Sequence, residues 1–345
     1  MTSMLVVGGD AEPSAPSNHL LELLRWVRHH HPDVEARVLL LRGGPLVQRF
    51  QDVVPTTLVD WSAQPGEPPW VGADVTLISG REALDAEPAI AGPEVGGVVH
   101  LPDAAGGPPG ELGRWRRRLN QACAVLVDSD AARRTLVSEG VTPALIEVHP
   151  RMTPMPTPAA PGAGRRRRGP VVVGGWGGSG WAGGADLFIR VVAAVRRAAG
   201  DVVVAFEWGG CDRPAFEAVE RMAASAGLDG AVTFAEELDV SAWVSTIDVL
   251  VATERRVETS VADLAAAAAG VPYVAFQGPG RVAGAGRLVS YPDADAVAHE
   301  VQLLCRSPEL RDTVGRNGSD RVRDGHAVDQ VAPGIWDVIR RCATG

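Results

Sequence analysis

The sequence predicts an α/β protein of two Rossmann-like, doubly wound parallel-sheet domains facing a central cleft, and three observations carry that prediction. Short apolar runs of strand length alternate with amphipathic helical stretches along the chain, a pattern that builds parallel sheets covered by helices on both faces. The 345 residues, 46% of them hydrophobic, suffice for two cores. Residues 151–170, RMTPMPTPAAPGAGRRRRGP, are poor in core formers and rich in Pro, Gly and Arg, and they divide the alternation in two. The expected division is 1–150 for the first domain, 151–170 for the linker and 171–330 for the second domain. A C-terminal helix, 331–345, is expected to pack back toward the first domain.

In the first half, Met4–Val7 followed by Gly8-Gly9-Asp10 reads as a strand with its turn. Ser17 reads as the N-cap of a helix through His31, with Leu20, Leu21, Leu24 and Val27 on its buried stripe. Val38–Leu41, Thr57–Val59, Val75–Ile78 and Val98–His100 are further strands, the last delivering His100 at its C-terminal end. Trp115–Ala122 reads as helix, Ala124–Val127 as strand, Ala131–Glu139 as helix and Ile146–His149 as the closing strand.

The second half opens on the stretch that organises it, GPVVVGGWGGSGWAGGADLFIRVVAAVRR over 169–197. Val171–Val173 reads as a buried strand, the glycine-dense segment as a loop, and 185–199 as an amphipathic helix. Strand, glycine loop and helix N-terminus together make an anion cradle, because free amides and the helix dipole point at one spot that glycine leaves open. Strands at Val202–Phe206, Ala231–Phe234, Val249–Val251 and Tyr273–Phe276 alternate with helices at Ala215–Ala226, Ser241–Ser245 and Val261–Ala269. A glycine loop at 278–286 precedes helices at Ala294–Cys305, Glu309–Arg316 and Val331–Arg341.

Composition excludes several function classes. A net charge of −9 supplies no cationic surface for counterion release, so nucleic acid is not expected as a partner. Its one basic run, Arg165–Arg168, reads as part of a solvated linker. The sequence contains no lysine: all 33 basic residues are arginine, which rules out a Schiff-base lysine and a P-loop lysine. Cys123, Cys211, Cys305 and Cys342 are far apart with no CxxC spacing, so neither a zinc site nor a disulfide framework is expected. With that cysteine pattern a reducing cytoplasm is the simplest compartment; no apolar run reaches transmembrane length and the N-terminus lacks signal-peptide character.

Individual residues carry competing readings. Gly175–Gly180 matches GxGxxG, but the helix begins several residues late and Asp201 precedes the next strand instead of ending it, which argues against a dinucleotide cofactor. His29-His30-His31 reads as a helix C-terminus that favours cations, in preference to a metal tract, and His149, before a proline at the domain boundary, reads as structural. Asp10, Ser14, Ser17 and Asn18 surround the C-terminal end of the first strand, where an acceptor substrate would lie. Trp176, Trp181 and Trp208 fall around the glycine loop, either as a ring platform or as packing.

With these residues in view, the chain resembles family 4 of the retaining, nucleotide-sugar-dependent glycosyltransferases, which have the GT-B fold. The resemblance is carried in order by SAPSNHLLELLRWV at 14–27, LLLRGGPL at 39–46, VVH at 98–100 and VLVDSDAARRTLVSEGVTPALIEV at 125–148. It continues through VVVGG…GWAGGADLF, FEWGG at 206–210, IDVLV at 247–251, AAAAAGVPYVAF at 265–276 and RLVSYPDADAVAHEVQLLCRSPELRDTVGRNG from Arg287. It implies transfer of a hexosyl group from a nucleotide sugar to a small-molecule or natural-product acceptor, with no metal and no cofactor beyond the donor. It also implies that His100 contacts the reacting sugar, against the plainer reading of a satisfied strand-end histidine.

The departures fall on the donor site. Where the family carries an Arg-Lys-Gly step for the diphosphate, Trp181 is followed by Ala182-Gly183-Gly184. The family's paired acids fall here on Val257 and Ala265, with Glu258 beside the first. Donor contacts are therefore expected from Gly178, Ser179, Gly180, Trp181 and Gly183, and from Glu258, Thr259 and Ser260 at the start of the next helix. Arg255 and Arg256 are the candidates to restore the missing charge. A charge-assisted hydrogen bond to phosphate contributes roughly 1.5–3 kcal/mol, so the losses are large. They leave open a second reading, a catalytically inactive pseudo-glycosyltransferase that serves an active partner transferase.

Overall fold

The computed structural model describes residues 2–343 apart from 13, 60–71, 91–96, 103, 105–111, 157–168, 179, 199–201, 212, 236–238, 256–259, 279, 280 and 283. The chain forms two compact units, Met1–Met152 with Val328–Gly345, and Thr153–Ala327.

In the first unit, seven described strands lie parallel in one sheet. They are β1 (Ser3–Gly8), β2 (Glu35–Leu40), β3 (Thr56–Leu58), β4 (Val75–Ser79), β5 (Val98–His100), β6 (Ala124–Val127) and β7 (Ile146–Val148), in the order β3-β2-β1-β4-β5-β6-β7. The apolar run of β1 is explained by burial on both faces: Met4 and Val6 enter one core, Leu5 and Val7 the other. The first core is closed by α1 (Ala15–His30) and by α12 (Val328–Ala343), whose Val331, Ala332, Ile335, Trp336, Val338 and Ile339 join the stripe of α1. His31, which ends α1, stacks on Trp336 with ring centroids 4.8 Å apart.

The second unit repeats the plan with six described parallel strands: β8 (Val171–Trp176), β9 (Val204–Gly209), β10 (Val232–Phe234), β11 (Val249–Ala252), β12 (Tyr273–Phe276) and β13 (Arg287–Val289). Their order is β10-β9-β8-β11-β12-β13. Val249 and Val251 of β11 face the core under α6 (Ala185–Arg197) and α10 (Ala294–Arg306), while Leu250 and Ala252 face the alanine-rich α9 (Val261–Ala268). Small side chains on α9 let α11 (Pro308–Gly325) pack closely on it.

The structure departs from the sequence reading at several points. Cys123 and Cys342 form a disulfide across 219 residues, with Cα atoms 5.8 Å apart. The expectation of no disulfide is corrected: sequence spacing does not report which cysteines the fold brings together, and α12 returns to the first unit beside the start of β6. Cys211 and Cys305 stay reduced and buried. Ser14, not Ser17, caps α1, its hydroxyl accepting from the Ser17 amide. Arg151, Met152 and Thr153, which open the Pro/Arg-rich segment, are buried; Arg165–Arg168 fall outside the described residues. Strand β13 and the helices α2 (Val47–Gln51) and α3 (Arg81–Ile90) had no counterpart in the sequence reading, and α11 runs nine residues beyond Arg316.

Candidate functional site

In each sheet the strand order reverses direction at one point, between β1 and β4 in the first unit and between β8 and β11 in the second. Open α/β sheets bind ligands in the crevice outside such a switch point. The glycine loop leaves β8 at this position, and residues 253–255 leave β11 beside it.

The loop's path requires its glycines. Gly184 adopts φ +74°, as the N-cap of α6, and a Cβ there would overlap the Thr253 carbonyl. At Gly183 a Cβ would overlap the carbonyl oxygen of Gly178 across the loop. The family's lysine position thus has no room for any side chain in this backbone. Trp181–Gly183 form one 3-10 turn, held by the Arg255 amide donating to the Ala182 carbonyl at 2.9 Å. Gly178 and Gly180 lie exposed on this edge, and Trp181 projects from it, 72% exposed. Trp208 is fully buried against Phe188, and Trp176 packs on Trp243, so these two of the three tryptophans are packing residues.

Arg255 is committed to the loop itself. Its guanidinium donates to both carboxylate oxygens of Asp186, at 2.8 and 2.7 Å, and to the Trp181 carbonyl at 2.5 Å. It also lies 5.0 Å from the centroid of the Trp181 ring. The hydrogen bonds from Arg255 hold the Asp186 carboxyl below its ordinary value. Asp186 occupies the first turn of α6, where a carboxylate complements the dipole. Ser260 caps α9, its Oγ accepting from the Asp263 amide at 3.5 Å. Behind it Asp263, 1% exposed, pairs with Arg281 from the loop after β12, and Arg281 also donates to the Glu254 carbonyl at 3.4 Å. Burial pushes the Asp263 carboxyl up, and the adjoining guanidinium works against that. Ser179, Arg256, Glu258 and Thr259 lie outside the described residues.

In the first unit the four acceptor-side candidates form one hydrogen-bonded corner. Ser17 Oγ donates to the Asp10 carbonyl at 3.0 Å and lies 3.2 Å from Asp10 Oδ1. Ser14 Oγ is 3.0 Å from Ser17 Oγ, and Asn18 Nδ2 donates to the Ser14 carbonyl at 2.9 Å. His100 ends β5 beside β4, 5% exposed, with Nδ1 3.1 Å from Ser79 Oγ and its ring 4.6 Å from that of His19. Burial first, then the charges of Arg151 and His149, lower the His100 pKa to about 3. Burial, His100 and Arg151 likewise take His19 well below its ordinary value. Arg151 donates to the Pro102 carbonyl and to Asp128 Oδ2, both at 2.9 Å.

Sequence reasoning missed His19, Asp128, Arg151, Asp186, Asp263 and Arg281. Four of them sit within apolar or helical patterns that explain them locally, Arg151 lies in a stretch whose composition reads as linker, and Arg281 lies in the glycine loop at 278–286. No spacing signal joins them.

Paired parallel sheets with a glycine cradle at the switch point of the second define the class: the chain has the two-domain α/β architecture of GT-B glycosyltransferase structures. Residues 171–307 match the family model of glycosyl transferases group 1. Among solved structures, HepE of Anabaena, in complex with UDP and glucose, superimposes with a TM-score of 0.77 at 16% identity, covering 99% of this chain and 100% of that one. Sucrose-phosphate synthase from Thermosynechococcus elongatus gives 0.75 at 14% identity, covering 99% of each chain. A glycosyltransferase from Rickettsia africae gives 0.74 at 12%, covering 99% of this chain and 98% of that one. At these identities the likeness is one of fold. No curated protein matches the chain in sequence. Among the described residues, no helix is long and apolar enough to cross a membrane.

Proposed function

We propose that this protein is a family 4-type retaining glycosyltransferase that moves a hexosyl group from a nucleotide sugar to a small-molecule, natural-product-type acceptor in the cytoplasm. The observation that carries the reading is a coincidence of position. The segment matching group 1 glycosyl transferases begins at β8, and the glycine cradle of that same segment opens at the sheet's switch point. HepE, crystallised with UDP and glucose, supports a nucleotide-sugar donor.

In this reading the donor diphosphate rests on backbone amides around Gly178, Ser179 and Gly180 and on the N-terminus of α6, while Gly183, whose amide already donates to the Gly180 carbonyl at 3.0 Å, shapes the cradle. Ser260, with Glu258 and Thr259, is the candidate for contacts to the donor sugar. Arg255 braces the cradle through Asp186 and Trp181, and Arg256 is the second cation candidate for the diphosphate. His100 stays neutral at working pH and offers a hydrogen bond where charge develops on the transferring sugar. Asp10, Ser14, Ser17 and Asn18 form the acceptor corner. No metal enters this chemistry.

A second reading has one observation in its favour. The cradle's one described cation is satisfied by its own carboxylate and the lysine position is sterically closed, as fits a pseudo-glycosyltransferase that partners an active enzyme. Thermal shift and calorimetry against a panel of nucleotide sugars, UDP-glucose first, separate the two. Donor at a hundred times its Kd adds about 2.7 kcal/mol of stability. No response across the panel, with a second transferase co-purifying, sinks the catalytic reading.

A further inference from the structure

We propose that His19 and Arg151 are positioning residues for His100, fixing its imidazole in a single orientation from two sides. The inference rests on the reading of His100 as the group that meets the reacting sugar, and it begins with Arg151. One terminal nitrogen of its buried guanidinium meets two acceptors, the carbonyl of Pro102 and the carboxylate of Asp128, each at 2.9 Å. Pro102 lies two residues after His100, and Asp128 directly follows β6, the strand paired with β5. The guanidinium therefore ties the chain just beyond His100 to the end of the neighbouring strand.

The next residue sets the other side. Met152 donates its amide N–H to His19 Nδ1 at 3.4 Å. Accepting that bond requires the Nδ1 lone pair, so the neutral ring carries its proton on Nε2. His19 Nε2 is buried and has no partner among the described residues. Among the described residues, the ring's other contact is with the ring of His100. The centroids are 4.6 Å apart and the planes inclined by 31°. With one face covered by His19 and Nδ1 directed at Ser79 Oγ, the imidazole cannot turn without losing a contact.

The groups around it are consistent with a ring kept uncharged. Ser79 faces it from β4, His19 from α1, and Arg151 and His149 from the segment after β7. Asp128 balances Arg151, and Glu147 lies 3.7 Å from His149. Burial and the charges of Arg151 and His149 act in the same direction on His100.

The test uses the full chain with 15N-labelled histidine, the His100 signals being assigned by their loss in His100→Gln. The wild type is expected to show a neutral, single-tautomer pattern for His100 from pH 5 to 8. His19→Asn keeps an acceptor for the Met152 amide but removes the stacked ring, and Arg151→Gln removes the clamp. Both are expected to move the His100 nitrogen shifts toward tautomer averaging, whereas Arg151→Lys, which retains charge and donors, keeps the wild-type pattern. With whichever nucleotide sugar of the panel is turned over, His19→Asn is expected to lower kcat about 10²-fold with KM little changed. Unchanged His100 shifts in His19→Asn and Arg151→Gln overturn the proposal. If Arg151→Gln does not fold, His19→Asn decides alone. A wild type that turns over no nucleotide sugar defeats the catalytic reading, while the spectra still decide the positioning.

Discussion

Cutting the disulfide by Cys342→Ser gives the most direct test of the chain's long-range organisation. Cys123 and Cys342 are 219 residues apart, and α12 belongs to the first unit although the whole second unit precedes it. In the chain-entropy account, closing a loop of that length stabilises the folded state by about 5 kcal/mol at 25 °C. If the second unit stays folded while the first unfolds, the slack part of the loop shrinks to roughly forty residues and the figure to about 4 kcal/mol. For a unit of this size each kcal/mol corresponds to roughly 2–4 °C, so the first unit's midpoint is expected to fall by roughly 10–15 °C. Tryptophan fluorescence reads it directly, because Trp336 on α12 and Trp26 on α1 share the first unit's core. Reduction of the wild type must reproduce the variant. Four titratable thiols in protein purified without reductant, or a midpoint unmoved by Cys342→Ser, would refute the reasoning.

Three further outcomes are expected. Gly183→Lys, which returns the family's cation to the loop, is expected to weaken donor affinity and lower stability, because the side chain's first atom meets the Gly178 carbonyl; tighter calorimetric binding of UDP-glucose by a folded variant would contradict the loop geometry. Removing one member of the buried Asp263–Arg281 pair is expected to cost about 3–5 kcal/mol, and replacing both with apolar residues much less; additive denaturant-unfolding losses in the double-mutant cycle would show the two are not coupled. Stability is expected to fall on acidification below pH 6.5, because His19 and His100 have depressed pKa values in the folded state. Above pH 6.5 both forms are neutral and the histidines contribute nothing; between there and about pH 3 the unfolded chain takes up protons that the native state refuses. At pH 5.5 this amounts to about 1 kcal/mol for His100, with His19 acting in the same direction, and a urea midpoint identical at pH 7 and 5.5 would argue against it.

Local pattern accounts for what could be read without coordinates. Periods of two and 3.6 are written residue by residue, so β1, β8, β11 and β12 and the helices α1, α6, α9 and α10 fall close to their expected positions. The glycine cradle was equally legible, because a turn with positive φ and a close backbone approach admits no other residue at Gly184. Strand β13 was not legible. Its three residues are all only half-buried and begin with an arginine, and pairing with β12 alone makes it a strand.

The side-chain networks belong to the tertiary structure. Arg255 was readable as a cation near the donor loop, but that its charge is spent on Asp186, 69 residues earlier, depends on β8 and β11 lying side by side. Arg151 reads as linker until the fold buries it beside Asp128 and His19, the latter brought in from the opposite end of the unit. Cys123 meets Cys342 because α12 recrosses to the first unit, and no local signal encodes that return. Sequence alone determined the two-sheet architecture and the place of the cradle, since each depends on neighbours along the chain. Which charges are already matched, and which histidine is held, was decided by contacts between residues that only the folded sheets bring together.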